Sequence, residues 1–246
     1  MLPEAEPTYT QRYLRQIALP EIGPEGQQRL ATAVIAVASE HDDDVATETA
    51  ARYLAAAGVG TVRWIAGAGA TEADRSGETS ADGAPVRSAL RASNPDVVVQ
   101  ERRWPADGAA WLVALQGVDL VVRSGFDDDP MLRAAVRLGV PAIILKVLPE
   151  RVELIAFRKQ GPCPHLDLDI PARRADGARG GAAAVVAGTL SAAEALFMLV
   201  GRASASASRA RHLSVPLDGG APRAQEIPWA PECFACGGGA VEMVFS

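Results

Sequence analysis

An α/β fold is predicted by a strand–helix–strand unit near the start of the sequence and by continued alternation of strand and helix segments after it. Residues 34–37 form a short apolar run rich in β-branched side chains, as in a parallel strand that is buried on both faces. Residues 46–57 then carry a helical pattern that ends at Gly58, and residues 59–65 form a second strand. The length of 246 residues favours one α/β domain over two.

The remaining elements continue this alternation. Further helices are predicted at residues 9–19, 27–31, 87–92, 104–116, 130–138 and 183–200, and further strands at residues 97–99, 118–122, 141–147, 151–158 and from 212 onwards. We expect Gly23 and Gly26 to lie in a turn and residues 151–158 to form an exposed strand near the sheet edge. The expected architecture is a Rossmann-like three-layer fold with a mostly parallel central sheet and a C-terminal antiparallel extension. Residues 1–246 form one domain, with an N-terminal helical arm at 1–30 and a flexible crossover loop at 171–181.

Composition excludes several classes of protein. The net charge of −6 and the pI near 5.2 argue against a nucleic-acid-binding surface. With only three cysteines a disulfide framework is not expected, and the polar N-terminus does not resemble a signal peptide, so we expect a cytoplasmic protein. Residues 183–200 are apolar but include Glu194, and one acid in mid-span costs about 2.5–3.5 kcal/mol in lipid. We therefore expect a helix buried in the core or in a dimer interface, and no membrane contact.

The turn after the first strand lacks the residues that bind phosphate. A phosphate cradle needs glycines, because a Cβ blocks the approach of the anion to the backbone N–H groups. Residues 38–45 contain no glycine, and they include Asp42, Asp43 and Asp44. Ser39 or one of these three acids can cap the following helix. The architecture is thus that of a nucleotide-binding fold, whereas the turn is unsuited to a nucleotide or a dinucleotide.

The acidic residues allow a second interpretation. A further run of three aspartates at residues 127–129 also follows a predicted parallel strand. The two runs could converge on a divalent cation, because both lie at carboxyl ends of strands. We favour the simpler interpretation, in which the acids form solvated loop tips and helix caps.

Several short motifs are spread along nearly the whole chain. They are RYLRQI at 12–17, EIGPEGQ at 21–27, YLAAAGVG at 53–60, NP at 94–95, VDLVV at 118–122, GPC at 161–163 and CFACG at 233–237. In their order and spacing these motifs resemble the ThiF/MoeB/HesA family. Members of this family are bacterial relatives of ubiquitin-activating enzymes. They adenylate the C-terminal glycine of a small ubiquitin-like sulfur carrier. The resemblance implies a carrier protein or carrier peptide as partner.

The chain departs from the family at the positions within the subunit's own nucleotide site. The family's glycine-rich turn is replaced, and its ribose-binding aspartate corresponds to about Ala66 in a loop rich in Gly and Ala. Residues 67–87, where the family has a catalytic arginine and a phosphate-binding lysine, contain no lysine and no recognisable motif. Phe126 falls on the position of the magnesium-associated aspartate. Asp127 would fall there only if the alignment were shifted by one residue. ATP with Mg²⁺ is therefore not an expected cofactor. We expect a non-catalytic or regulatory member, with an active adenylyltransferase as the alternative.

The cysteines predict a structural zinc site. Cys233 and Cys236 have a knuckle spacing, followed by a glycine, that lets two thiolates face one tetrahedral metal ion. In the family a second Cys-x-x-Cys closes this site, and the matching place here has Cys163 and His165. His165 or a nearby acid would be the fourth ligand. The alternatives are three free thiols, or a Cys233–Cys236 dithiol without a role.

The N-terminal arm carries the last functional prediction. In the family the arginine that matches Arg15 reaches across a two-fold interface towards the nucleotide of the partner subunit. The resemblance therefore implies a homodimer, or a heterodimer in which Arg15 acts in trans on an active paralogue.

Overall fold

A mixed sheet of eight strands forms the centre of the molecule. The computed structural model describes residues 9–39, 44–67, 85–125, 130–157, 181–201 and 210–227. The strands are β1 (Val34–Ser39), β2 (Thr61–Ala66), β3 (Val98–Arg103), β4 (Leu120–Ser124), β5 (Ala142–Val147), β6 (Arg151–Phe157), β7 (Ala210–Pro216) and β8 (Arg223–Ile227). Their order in the sheet is β3-β2-β1-β4-β5-β6-β7-β8. The first five strands are parallel, and β6, β7 and β8 are added antiparallel. The predicted sheet with its C-terminal antiparallel extension is confirmed.

Helices cover both faces of this sheet. Those in the described residues are α1 (Tyr9–Ile17), α2 (Gly23–Thr32), α3 (Val45–Ala56), α4 (Pro85–Ser93), α5 (Gly108–Ala114), α6 (Pro130–Leu138) and α7 (Ala182–Leu199). Helix α3 packs against α4 and α7 on one face, and α5 packs against α6 on the other. Each face has its own apolar core, with Val37 and Val122 in one and Ala36 and Val121 in the other. The alternation along β1 and β4 divides the residues between the two cores, which gives the predicted three layers.

Small residues on α7 allow it to approach α3 closely. Ala184, Ala187 and Ala195 are buried in this helix, and a Cβ on Gly188 would lie 2.3 Å from the carbonyl oxygen of Ala46. Among the described helices, α7 is long and apolar enough to cross a membrane, with a mean hydropathy of 1.8. Core helices of soluble proteins can have the same length and composition. Helix α7 packs on β4, β5 and β6 as well as on α3. Its inner face is thus part of the core.

The arm is anchored to the amino-terminal edge of the sheet by a polar network. Arg12 Nη1 donates a hydrogen bond to Asn94 Oδ1 (3.0 Å), and Gln27 Nε2 donates to the carbonyl of Ala57 (3.0 Å). The Tyr13 ring is buried against Gly58, where an added Cβ would lie 2.8 Å from the ring. Burial raises the pKa of Tyr13, so its hydroxyl stays protonated in the arm. Helix α1 is therefore fixed on one side and exposed on the other.

Two local predictions are wrong. Residues 151–158 were expected to form an exposed edge strand, but β6 is buried between β5 and β7. Strand β7, which lies more than 50 residues later in the sequence, pairs with β6 and covers the edge that β6 would otherwise expose. Gly26 lies inside α2 instead of in a turn, because that helix begins at Gly23. Pro24 favours this early start, since proline suits the first turn of a helix.

Candidate functional site

The sheet order places a candidate binding crevice between β1 and β4. Strand β1 lies between β2 and β4. The chain adds β2 and β3 on one side of β1 and then crosses to the other side to add β4 and β5. In open parallel sheets ligands bind outside the carboxyl ends of the strands at this switch point. The described residues at this edge include Ser39 at the end of β1, Asp44 before α3, and Ser124 at the end of β4.

Asp44 occupies the N-terminus of α3. Its Oδ1 atom accepts hydrogen bonds from the backbone N–H groups of Ala46 (3.1 Å) and Thr47 (3.3 Å), and the residue is 8% exposed. These first-turn amides are the groups that bind phosphate in nucleotide-binding folds. Because a buried carboxylate already uses them, a phosphate at the same place would meet like charge. The prediction that one of the acids caps this helix is confirmed for Asp44, whereas Ser39 is the buried last residue of β1.

Ala66 is the last residue of β2 and not part of a loop, which corrects its predicted placement. The backbone here is held by a hydrogen bond from Trp104 N–H to the Ala66 carbonyl (2.7 Å). Ala66 lies in register with Ser39 at the carboxyl end of β1, but its methyl side chain has no oxygen to accept a bond from a ribose hydroxyl.

Arg123 is a buried charged residue near the end of β4 that the sequence analysis did not single out. It is 4% exposed, and on β4 it lies in register with Ala38 of β1 and Ile144 of β5. Its guanidinium carbon lies 5.1 Å from the ring centroid of Trp104, which packs edge-to-face on Trp111 of α5 at 5.0 Å. The signal was present, because a charged residue within the apolar run of a strand buried on both faces is exceptional.

The other predicted site residues divide into two groups. Arg15 is described, and it is exposed in the last turn of α1. The remainder lie outside the described residues and stay predictions: Asp42, Asp43, Asp127, Cys163, His165, Cys233 and Cys236. The crossover loop at 171–181 also falls outside them, except for Gly181 at the start of α7. Within the described ranges, no three His, Cys, Asp or Glu side chains cluster as a metal site would require.

A second polar cluster lies on the antiparallel part of the sheet. Glu153 of β6 is 2% exposed and forms an ion pair with Arg151. Its carboxylate also accepts hydrogen bonds from His212 Nε2 (2.5 Å) and Ser214 Oγ (3.0 Å) of β7. Gln225 Nε2 of β8 lies 3.1 Å from His212 Nδ1, which fits an imidazole that carries its proton on Nε2. His212 is therefore part of a polar network that joins three strands.

This network sets the ionisation of Glu153. Burial raises the pKa of the carboxyl group, but the hydrogen bonds from His212, Arg151 and Ser214 together outweigh burial and leave the pKa below its usual value. Glu153 is thus held as a carboxylate, and its charge stabilises the folded state.

Comparison with known proteins identifies the family. A sulfur carrier protein adenylyltransferase of Thermus thermophilus is 33% identical over 223 residues, and the match covers 77% of this chain and 78% of that protein. The chain belongs to the ThiF/MoeB-type adenylyltransferase family. No family model matches this ThiF/MoeB-type chain.

Solved structures share the ThiF/MoeB-type fold. The selenomethionine structure of PaaA has a TM-score of 0.70 at 15% identity, covering 92% of this chain and 86% of PaaA. MccB of E. coli has a TM-score of 0.69 at 16% identity, covering 98% of this chain and 76% of MccB. MccB has also been solved with ATP and with MccA. At these identities the likeness establishes the fold.

Replacing Glu153 by Gln should change how stability depends on pH. Because the folded-state pKa of Glu153 is lowered, its contribution is fully present above the unfolded pKa of about 4.3 and is lost as the pH falls through the folded value. Glu153→Gln should lower the free energy of unfolding by about 1–3 kcal/mol at neutral pH. The loss should shrink towards low pH in urea denaturation from pH 7 to pH 3. Glu21→Gln, at an exposed position, is the matched control, and a loss that stays constant with pH would contradict the assignment.

Proposed function

We propose that this ThiF/MoeB-type protein is a non-catalytic or regulatory member of the family that binds a partner protein or carrier peptide. The observation that supports this most directly is the Asp44 cap, because its carboxylate takes the α3 amides that would otherwise hold a phosphate. The proposal includes a cytoplasmic location, which the low cysteine content supports.

Catalysis of adenylation needs groups that neither the sequence of residues 67–87 nor the described part of the site supplies. The reaction depends on positioning the nucleotide and on neutralising phosphate charge. Ala66 offers no acceptor to the ribose, and the sequence between residues 67 and 87 has no lysine to pair with a phosphate. With Asp44 on the α3 amides, ATP does not fit the described part of the site in the way a Rossmann fold would hold it.

Related proteins indicate the class of partner. The Thermus thermophilus relative is named for a sulfur carrier protein, and MccB has been solved together with MccA. Binding of a carrier protein through its C-terminal tail requires the crevice and the sheet, but it does not require the phosphate-binding turn. This chain keeps the fold but lacks the phosphate-binding turn, and this combination supports a role in binding.

Nucleotide titration tests this proposal. Calorimetry with Mg-ATP should give no micromolar binding, and the protein should not catalyse pyrophosphate exchange with a sulfur carrier protein, because the phosphate site carries a negative charge. The Thermus thermophilus relative is the matched positive control in the same assay. Micromolar binding of Mg-ATP, or carrier-dependent exchange, would reject the proposal and establish the alternative, an active adenylyltransferase.

A partner subunit is the second part of the proposal. Helix α7 exposes Val185, Val186 and Phe197 on the side away from α3, with Phe197 50% exposed. This apolar surface suits a subunit interface, either in a homodimer or in a heterodimer with an active paralogue. Arg15 is exposed on the anchored arm, where it is available to a neighbouring subunit as an arginine supplied in trans.

Replacing Arg15 by Ala in a complex with an active paralogue should lower adenylation by the paralogue by at least about 10-fold, since arginine fingers contribute about 10³- to 10⁵-fold elsewhere. Co-purification with a paralogue that has a glycine-rich loop provides the complex, and Arg91→Ala, at an exposed site on α4, is the control. Unchanged adenylation by the Arg15→Ala complex would remove the role in trans and leave a homodimeric binding protein.

Structural zinc is the third part, and it is supported by the spacing of Cys233, Cys236 and Cys163, with His165 or a nearby acid as the fourth ligand. Protein purified without chelator should contain close to one equivalent of zinc, and its removal should lower the unfolding temperature because thiolate ligands join distant segments. Metal analysis of the wild type beside Cys236→Ser checks this. Only traces of zinc, with all three thiols reactive, would reject it.

A further inference from the structure

We propose that an ordered water molecule is bound between Arg12, Tyr13 and Gln27 and fastens helix α1 of the arm to the rest of the protein. The site lies at the amino ends of the parallel strands, because it is built around Gly58 and Asn94, which precede β2 and β3. The crevice between β1 and β4 lies at the opposite ends of the strands. Neither a nucleotide nor a carrier takes part, so this site is separate from the proposed function.

Four of the sequence motifs come together here. The RYLRQI motif supplies Arg12 and Tyr13, the EIGPEGQ motif supplies Gln27, the YLAAAGVG motif supplies Gly58, and the NP motif supplies Asn94. Arg12 Nη1 donates a hydrogen bond to Asn94 Oδ1. The Tyr13 ring and the Gln27 amide both lie against Gly58. The motifs at this edge of the sheet therefore build one polar site.

Three polar atoms in this site are buried and have no hydrogen-bond partner in the described part of the chain. They are Arg12 Nε, the Tyr13 hydroxyl and Gln27 Oε1. Tyr13 and Gln27 are each only 1% exposed. Asn94 lies close to the Tyr13 hydroxyl but outside hydrogen-bond geometry. Because buried polar groups in folded proteins are nearly always hydrogen-bonded, three such atoms in one place indicate that a bound molecule pairs with them.

The Gln27 amide has a fixed orientation. Its Nε2 atom donates to the Ala57 carbonyl at 3.0 Å, so turning the amide over would place two oxygens together. Oε1 is therefore the atom that needs a donor. A Cβ on Gly58 would lie 2.5 Å from Gln27 Nε2 and 2.8 Å from Tyr13 Cζ, the carbon that carries the hydroxyl. The phenol and the amide thus border the same small space.

The three groups together match one water molecule. Arg12 Nε donates, Gln27 Oε1 accepts, and the Tyr13 hydroxyl can do either. A water that accepts from Arg12, donates to Gln27 and bonds Tyr13 makes about three hydrogen bonds, as buried waters in proteins usually do. The positive charge of Arg12 disfavours a cation at this place, and the Gln27 oxygen disfavours an anion.

Such a water joins the arm to two other helices. Arg12 and Tyr13 lie on α1, whereas Gln27 lies on α2 and bonds the carbonyl of the residue that follows α3. The exposed Arg15 comes three residues after Arg12 on the same helix. Arg12 and Tyr13 are therefore positioning residues for the outer side of the arm, and they act through the water.

The experiment uses the full chain and compares Tyr13→Phe with Gln27→Met. Tyr13→Phe removes only the hydroxyl, and Gln27→Met replaces the amide by an unbranched apolar side chain. Tyr53→Phe and Gln28→Met, at exposed positions, are the matched controls. A high-resolution crystal structure of the wild type locates the water, and amide hydrogen exchange measures the opening of α1.

We expect one water within hydrogen-bond distance of all three atoms in the wild type. Tyr13→Phe should speed the exchange of the α1 amides by about 5- to 100-fold, because the water loses a partner. The double variant Tyr13→Phe/Gln27→Met should exchange little faster than Gln27→Met alone, since both changes act through the same water. Both controls should leave the exchange rates unchanged.

The opposite result for Tyr13→Phe would overturn the proposal. Without a bound water this substitution removes a buried hydroxyl that has no partner in the described part of the chain, so exchange would be unchanged or slower. A wild-type crystal structure in which the Tyr13 hydroxyl bonds Gln27 Oε1 directly, with no water between them, would also overturn it. Additive effects of the two substitutions would do the same.

Discussion

The hydrogen bonds from the first amides of α3 to the Asp44 carboxylate are the contact that fixes the start of this helix beside the central strand β1. A helix that follows a buried parallel strand must begin close to the sheet, and its first amides need acceptors. Elsewhere in nucleotide-binding folds those acceptors are phosphate oxygens, whereas here they belong to the protein itself. The amides of Ala46 and Thr47 thus have an acceptor within the protein.

The same crevice has opposite charges on its two sides. The end of β1 leads to the Asp44 carboxylate, and the neighbouring β4 carries the buried guanidinium of Arg123. The first-turn amides of α3 are thus taken by a carboxylate of the protein, whereas the Arg123 guanidinium lies on the ring of Trp104.

The antiparallel extension is held by polar contacts inside the sheet. Glu153 joins β6 to β7 through His212 and Ser214, and Arg211 of β7 forms an ion pair with Glu194 of α7. Glu194 is the acid that argued against a membrane span in the sequence. Its partner on the sheet explains how an apolar helix carries a charge while its inner face remains in the core.

Much of this structure could be predicted from the sequence, because local patterns determine it. The apolar run in β1, the glycine that ends α3 and the proline that starts α6 each act on the few residues around them. The mostly parallel sheet with helices on both faces follows from the alternation of strands with helices, whereas the order of the strands does not. The absence of phosphate-binding glycines was likewise visible without coordinates. Only the tertiary structure decided which acid caps α3, that β6 lies inside the sheet, and that Arg123 rests on Trp104. The position of β6 and the contact of Arg123 with Trp104 depend on segments that are distant in the chain, where burial outweighs the preferences of each segment alone. The Asp44 cap is local, but Ser39 and three neighbouring aspartates were all candidates for it, so the choice depended on the backbone geometry at the start of α3.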